Sequence, residues 1–268
     1  MPRNPSERYH NRVARQYDNI YDDPYWEFHD ELTWRSVKPH VPRDATARCA
    51  DLGCGTGKWG LKLLKSGYAT TFLDHSPVMI EQTRAKVEAM GPRAKKATLV
   101  VGDIIDMPQL ESGAFGMVLA MGDPLSICSD PPAAAREFAR ITAPGGIIIA
   151  TADNKLAAID YYIDRGNLDA LEEFIRSGKT NWLTQDTREQ FELTTFTVQS
   201  LTRLFEQVGF EVVDVIGKSI IPIRQNRKLL EGDHAIERLL KLEQILAKDP
   251  AAAARAGHLQ ITARKRVV

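Results

Sequence analysis

Three aspartates in the first half of the chain close short apolar runs: Asp51 in "RCADLG", Asp74 in "ATTFLD" and Asp103 in "ATLVVGD". Gly53, Gly55 and Gly57 alternate immediately after the first. Carboxylates so placed accept hydrogen bonds from hydroxyl and amino groups, and glycines let the backbone close on a ligand with no Cβ in the way. The glycines admit two registers. Gly55, Gly57 and Gly60 spell G-x-G-x-x-G, a dinucleotide phosphate turn, with Asp74 near the ~20-residue offset of a ribose-binding acid. Read from Asp51, they spell D-x-G-x-G-x-G. The first register pushes Asp51 back into a buried parallel strand, where an unpartnered carboxylate is costly. The second sets Asp51 at the carboxyl end of its strand, where open α/β sheets bind ligands. We adopt the second. A P-loop is excluded, because Trp59 follows Gly57-Lys58 where Ser or Thr is needed and Leu52 stands where the first glycine belongs.

The surrounding pattern supplies the frame that must hold these groups. "GKWGLKLLKSG" reads as a helix closed by Gly67, and "SPVMIEQTRAKVEAMGP" as a helix with Ser76 as N-cap and Pro77 at its first position. "FGMVLAMGD" is a fourth strand and "DPPAAAREFARI" a capped helix; "APGG" (143–146) turns into a fifth strand, "GGIIIATADN". Strands alternating with helices predict crossover connections and a mostly parallel sheet covered on both faces. The rhythm stops from 155 to 196, where "KLAAIDYYIDRGNLDALEEFIRSG" predicts two helices inserted at the sheet edge. It resumes with the helix "TVQSLTRLFEQVG", the strand "FEVVDVIG", a long helix near 234–248 and a closing strand, "HLQITARKRV". The aromatic first 45 residues predict two helices, broken at Asp23-Pro24, lying over the rest. The expected organisation is one domain, 1–268: a helical lid (1–47), a cofactor half (48–154), a cap insert (155–196) and the remaining sheet (197–268).

Four motifs in this order and context resemble the class I S-adenosylmethionine (SAM)-dependent methyltransferases, small-molecule type, similar to the ubiquinone/menaquinone C-methyltransferases. The likeness covers residues 12–152 by motif and 195–266 by pattern. It implies a Rossmann-like seven-stranded sheet of order 3-2-1-4-5-7-6, the last strand antiparallel, under a helical cap. It implies SAM as cofactor, leaving as S-adenosylhomocysteine. Asp51, Gly53, Cys54, Gly55 and Gly57 would surround its amino-acid portion, Asp74 its ribose, and Asp103 with the Ile104 amide its adenine. His75, Met79 and Ile104 would flank the ring, Met121 would lie nearby, and Tyr17 would reach the carboxylate or sulfonium. Plainer readings stand beside these: Asp51 as a helix cap, Gly60 as a packing glycine, Asp74 and Asp103 as turn residues, His75 as a bystander.

Methyl transfer from SAM asks the protein to align donor and acceptor and to exclude water. An amine acceptor needs little more; a hydroxyl or acidic carbon needs a general base. "MGDPLSIC" (121–128) occupies the place where enzymes methylating exocyclic nitrogens carry Asn- or Asp-Pro-Pro-aromatic. Asp123-Pro124 keeps the first half, while Leu125 and Ser126 remove the stacking platform a nucleobase needs. Asp123, His29 and Tyr21 are the candidate catalytic residues, with His234 a further possible base. Tyr17, Tyr21, Tyr25, Trp26, Tyr161, Tyr162 and Trp182 offer an apolar lid suited to a small organic acceptor.

Composition bounds the alternatives. Apolar content of 43% and charged content of 26% are those of a globular protein, and 35 basic against 35 acidic residues leave no net field to draw it to nucleic acid. Methylation of RNA or protein is therefore the second reading, and a non-catalytic SAM-binding subunit the third. Cys49, Cys54 and Cys128 suit neither a disulfide framework nor zinc, and no cluster has metal-ligand spacing. With no signal-like opening and no membrane-length apolar run, the expected setting is the cytoplasm without membrane contact. The helix near 234–248 leaves an oligomer open.

Overall fold

The computed structural model describes residues 5–181, 186–247 and 249–267; Trp182 of the expected lid lies outside them. Seven strands form the central sheet: β1 (Arg48–Leu52), β2 (Ala69–Asp74), β3 (Ala97–Val101), β4 (Phe115–Ala120), β5 (Thr142–Asp153), β8 (Phe210–Lys218) and β9 (His258–Lys265). The insert adds a ribbon of its own, β6 (Lys179–Thr180) with β7 (Leu193–Thr194). The sheet order is β3-β2-β1-β4-β5-β9-β8. It therefore differs from the expected 3-2-1-4-5-7-6 only because the ribbon raises the count of the final two strands. β1 to β5 run parallel, and β9 runs antiparallel to both neighbours.

Local chemistry explains the helices that flank it. Ser76 caps Pro77–Glu88 by accepting from the Met79 amide at 3.1 Å, and Asp130 caps Pro131–Ile141 through the Ala133 amide at 2.9 Å. Asp23 caps Pro24–Val37, so the break read at Asp23-Pro24 is a helix start. One core layer joins Phe138, Leu201, Phe205 and Phe210 to the inner strands; on the other face Leu63, Trp59 and Val37 meet Met117 and Ile149. Each such large side chain contributes about 1.5–3 kcal/mol by leaving water.

Two readings need correction. "APGG" is not a separate turn: β5 already begins at Thr142 and carries these residues through a register shift opposite Phe115 and Met117. The first 45 residues hold more than two helices, because Pro5–Val13 continues through a 3-10 turn into Tyr17–Ile20 before Pro24–Val37 begins. The packing reading of Gly60 holds. A Cβ there would stand 2.4 Å from Phe72 Cε1 and 2.8 Å from Asp51 Oδ2. Gly60→Ala is expected to cost about 1–3 kcal/mol of stability by overpacking, read as a lower urea midpoint with unchanged slope.

Candidate active site

A cleft of about 960 Å³ opens at the carboxyl ends of β1, β2 and β4, roofed by the N-terminal helices and the insert. That volume is ample for a nucleoside-sized cofactor beside a small acceptor. Gly53, Cys54, Gly55, Asp74, His75, Met79, Asp103, Ile104, Met121, Tyr17 and Tyr21 all line it. Gly53 and Gly55 adopt φ of +62° and +54°, in the left-handed region that a β-branched residue avoids. A Cβ on Gly55 would meet only Tyr17 Cε1, at 3.8 Å, so its Hα side faces open cleft. Asp74 orders this turn, accepting from the Gly55 amide through Oδ2 and the Ser76 amide through Oδ1, each at 2.8 Å. Asp103 accepts from the Ile105 amide at 3.2 Å, so its turn role is real while the residue still lines the cleft.

Asp51 and Gly57 do not line the cleft, against expectation. Asp51 is fully buried and accepts from the Gly60 amide at 2.7 Å, and burial pushes its carboxyl up to about 7. Its place is beneath the helix start, which is the capping alternative. Gly57 serves packing too, with a Cβ there reaching Thr83 Cγ2 at 2.9 Å.

The roof is tied down at several points. Thr56 donates to Asp18 at 2.6 Å, Ser76 to Asn11 at 2.6 Å, and Arg12 grips Glu189 of the insert through both carboxylate oxygens. Of the lid aromatics, Trp26 and Tyr161 line the cleft, whereas Tyr25 sits in the core and Tyr162 stacks on Phe174. His234 is exposed on the far helix, away from the cleft, and drops out as a base. Asp74→Ala is expected to weaken SAM binding by about 1–3 kcal/mol, measured by calorimetry, because it removes charge-assisted acceptors and unties the Gly55 turn.

The end of the cleft near β5, β8 and β9 holds groups that the sequence did not join. Strand register sets Asp153 opposite His258, and His258 opposite Lys218. Asp123 reaches the same row from the end of β4. Its own φ is +64°, a conformation costing about 1–3 kcal/mol, held because the Gly122 and Asp123 amides both donate to Thr151 Oγ1 at 3.0 Å. His258 Nδ1 lies 2.8 Å from Asp123 Oδ2 and 3.9 Å from Asp153 Oδ1. The shorter contact is an ion pair by distance, and among the described residues Asp123 Oδ1 is buried without a hydrogen-bond donor.

Electrostatics sorts these groups. Burial would raise the Asp123 carboxyl, but the charges of His258 and Lys218 outweigh it and hold it well below the usual range. Burial would lower the His258 imidazole, yet Asp123 raises it above its ordinary value. Asp153 is pushed up to about 7 by burial and then by Asp123. His29 faces this row, its ring centroid 5.6 Å from that of His258, and burial followed by the Lys218 and His258 charges drives it well below 6.5. It is therefore neutral and a poor proton acceptor. Donor atoms of Asp123, Asp153 and His258 converge within 4.8 Å of one another, a grouping that spacing along the chain cannot disclose.

Comparison with known proteins agrees with this geometry. Residues 49–146 match the methyltransferase domain family. A malonyl-[acyl-carrier protein] O-methyltransferase of Serratia marcescens is 33% identical over 99 residues, 37% of this chain and 35% of that protein. The curated relatives are spanned over only 24%, 35% and 30% of their own lengths. A SAM-dependent methyltransferase structure from Methanosarcina mazei superposes with a TM-score of 0.62 at 18% identity, covering 87% of this chain and 98% of that one. The [4+2]-cyclase SpnF superposes with a TM-score of 0.57 at 22% identity, covering 89% and 81%; likeness of fold alone does not fix the chemistry. Among the described residues no helix is long and apolar enough to cross a membrane. Residues 49–146 thus match a methyltransferase domain, set in a sheet whose fold is shared with the structure of a SAM-dependent methyltransferase.

Proposed function

We propose that the chain transfers the methyl group of SAM to a hydroxyl or acidic carbon of a small organic molecule held beneath the helical cap, with His258 as general base and Asp123 as its orienting partner. The contact between His258 and Asp123, at the acceptor end of the cofactor's own cleft, carries this reading. Bound SAM supplies an electrophilic methyl on its sulfonium. Gly53 to Gly55, Tyr17, Asp74, Asp103 and Ile104 would hold it, with Met79 and His75 beside the ring.

The acceptor lies near the carboxyl end of β4, with its acidic O–H or C–H proton directed at His258 Nε2. His258, its Nδ1 turned to Asp123, takes the proton at Nε2, and the Asp123 carboxylate stabilises the resulting imidazolium. Tyr21 and Trp26 pack edge to face at 4.7 Å and keep water from the reacting atoms. Balanced charge and an aromatic roof favour a small acceptor over RNA or protein. Oxygen is also the acceptor atom named for the Serratia marcescens relative, and the acidic-carbon alternative keeps the resemblance to the quinone C-methyltransferases. The test is to incubate the protein with methyl-deuterated SAM and a small-molecule cell extract, then search by mass spectrometry for trideuteromethylated species. A labelled product missing from a Gly55→Val control supports the proposal. Label found only in RNA or protein sinks it.

A further inference from the structure

Lys58, His258 and Lys218 line the cleft, and their partners differ. Lys58 has Asp30 at 2.6 Å, and His258 has Asp123 at 2.8 Å. Lys218 is 2% exposed, lines the same cleft, and among the described residues donates only to the Thr33 hydroxyl, at 3.2 Å. No carboxylate among the described residues comes within 4.0 Å of its ammonium. A buried ammonium with one neutral acceptor and two unused donors is expensive unless a ligand completes it. The fields of Asp123 and Asp30 reach it but do not offset burial, which lowers it to about 8.

A second orphan lies alongside. His29 Nε2 is buried with no hydrogen-bond partner, and Thr33, which accepts from Lys218, itself donates to the His29 carbonyl at 2.8 Å. Thr33 thus touches both residues, Lys218 through its ammonium and His29 through its backbone carbonyl, and both line one cavity. As a neutral ring, His29 can donate from Nε2 to an anionic oxygen. At the exposed rim Arg224 lies over the Trp26 ring, 5.8 Å from its centroid, and also lines the cleft. Its charge favours entry of an anion.

We propose that Lys218 and His29 form a carboxylate subsite, so that the acceptor is a small organic acid whose nucleophile lies close to its carboxylate. One carboxylate oxygen takes Lys218 Nζ and the other His29 Nε2, while the nucleophile turns toward Asp123 and His258. This rests on reading the cleft as the acceptor site. It assigns His29 to recognition, where sequence alone offered it as a base.

Formate, acetate and benzoate are the minimal probes, titrated calorimetrically into protein loaded with S-adenosylhomocysteine, against chloride and benzamide at equal ionic strength. The expected result is saturable binding of at least one carboxylate, at least tenfold tighter than benzamide. Lys218→Met should weaken it at least tenfold, with affinity for S-adenosylhomocysteine unchanged as the control for folding, and Lys218→Arg should restore part of it. Carboxylates that bind no better than chloride and benzamide would overturn the subsite, as would undiminished binding in a folded Lys218→Met. No turnover is involved. Methylated product lacking a carboxylate counts against the subsite alone; carboxylate binding with no small-molecule product counts against the methylation proposal alone.

Discussion

Gly55→Val is expected to leave a folded protein that no longer binds SAM, with affinity reduced by more than about 100-fold, or roughly 2.7 kcal/mol. The argument is geometric. Gly55 sits at φ +54°, and the only atom a Cβ there would meet is Tyr17 Cε1 at 3.8 Å. The first carbon is therefore tolerated sterically by the protein, and the branched remainder projects into the cofactor's space. A β-branched residue at positive φ adds about 1–2 kcal/mol of backbone strain. This tightens the prediction, because relief by backbone movement would pull the Gly55 amide from Asp74 Oδ2 at 2.8 Å. Calorimetry with SAM, with circular dichroism as the folding control, decides it. Unchanged affinity in a folded variant would refute the D-x-G-x-G-x-G register. Asp51 makes a useful contrast: it lies outside the cleft, so its replacement should act on stability before affinity.

His258→Asn should lower kcat by about 10²–10⁴-fold, the usual contribution of a positioned base, while the Kd for SAM stays within a factor of about three. The pH profile carries more information than the rate. In the proposed mechanism catalysis needs the neutral imidazole, and Asp123 raises the His258 pKa above 6.5. Activity should therefore rise with pH through an apparent pKa above the ordinary histidine value. Asp123→Asn removes the larger of the two carboxylate influences that raise it, Asp153 being the other, so the acid limb should move to lower pH even as kcat falls. A merely structural Asp123 would lower kcat without moving that limb. An acid limb unmoved in Asp123→Asn, or full activity in His258→Asn, would remove the dyad from the mechanism and leave an acceptor that needs no base.

Much of the fold was legible because its signals are local. Ser76 before Pro77 and Asp130 before Pro131 are helix starts readable from four residues each, whereas Asp23-Pro24 read only as a break. The apolar runs ending in Asp51, Asp74 and Asp103 are strands whose ends must share one edge once crossovers are right-handed. The resemblance to class I methyltransferases added Ile104, and that rule gathered Gly53, Gly55, Asp74 and Asp103 on the same cleft. It failed for Asp51 and Gly57, where spacing cannot say which of several adjacent groups faces ligand and which faces the helix above. The answer depended on the Gly60 amide, 2.7 Å from Asp51, and on Thr83 pressing against Gly57.

The acceptor end was decided by tertiary structure. His258 opens a strand, and the rule about carboxyl ends looks only at where parallel strands stop. Because β9 runs antiparallel to β5 and β8, its first residue lies level with their last, and register alone sets Asp153, His258 and Lys218 in one row. Asp123 was visible as a candidate, but its partner lies 135 positions away in the chain. The cofactor's turn is encoded by neighbours in sequence, because one loop makes it. The surroundings of the proposed acceptor are encoded by the pairing of β5, β8 and β9, which local chemistry cannot specify.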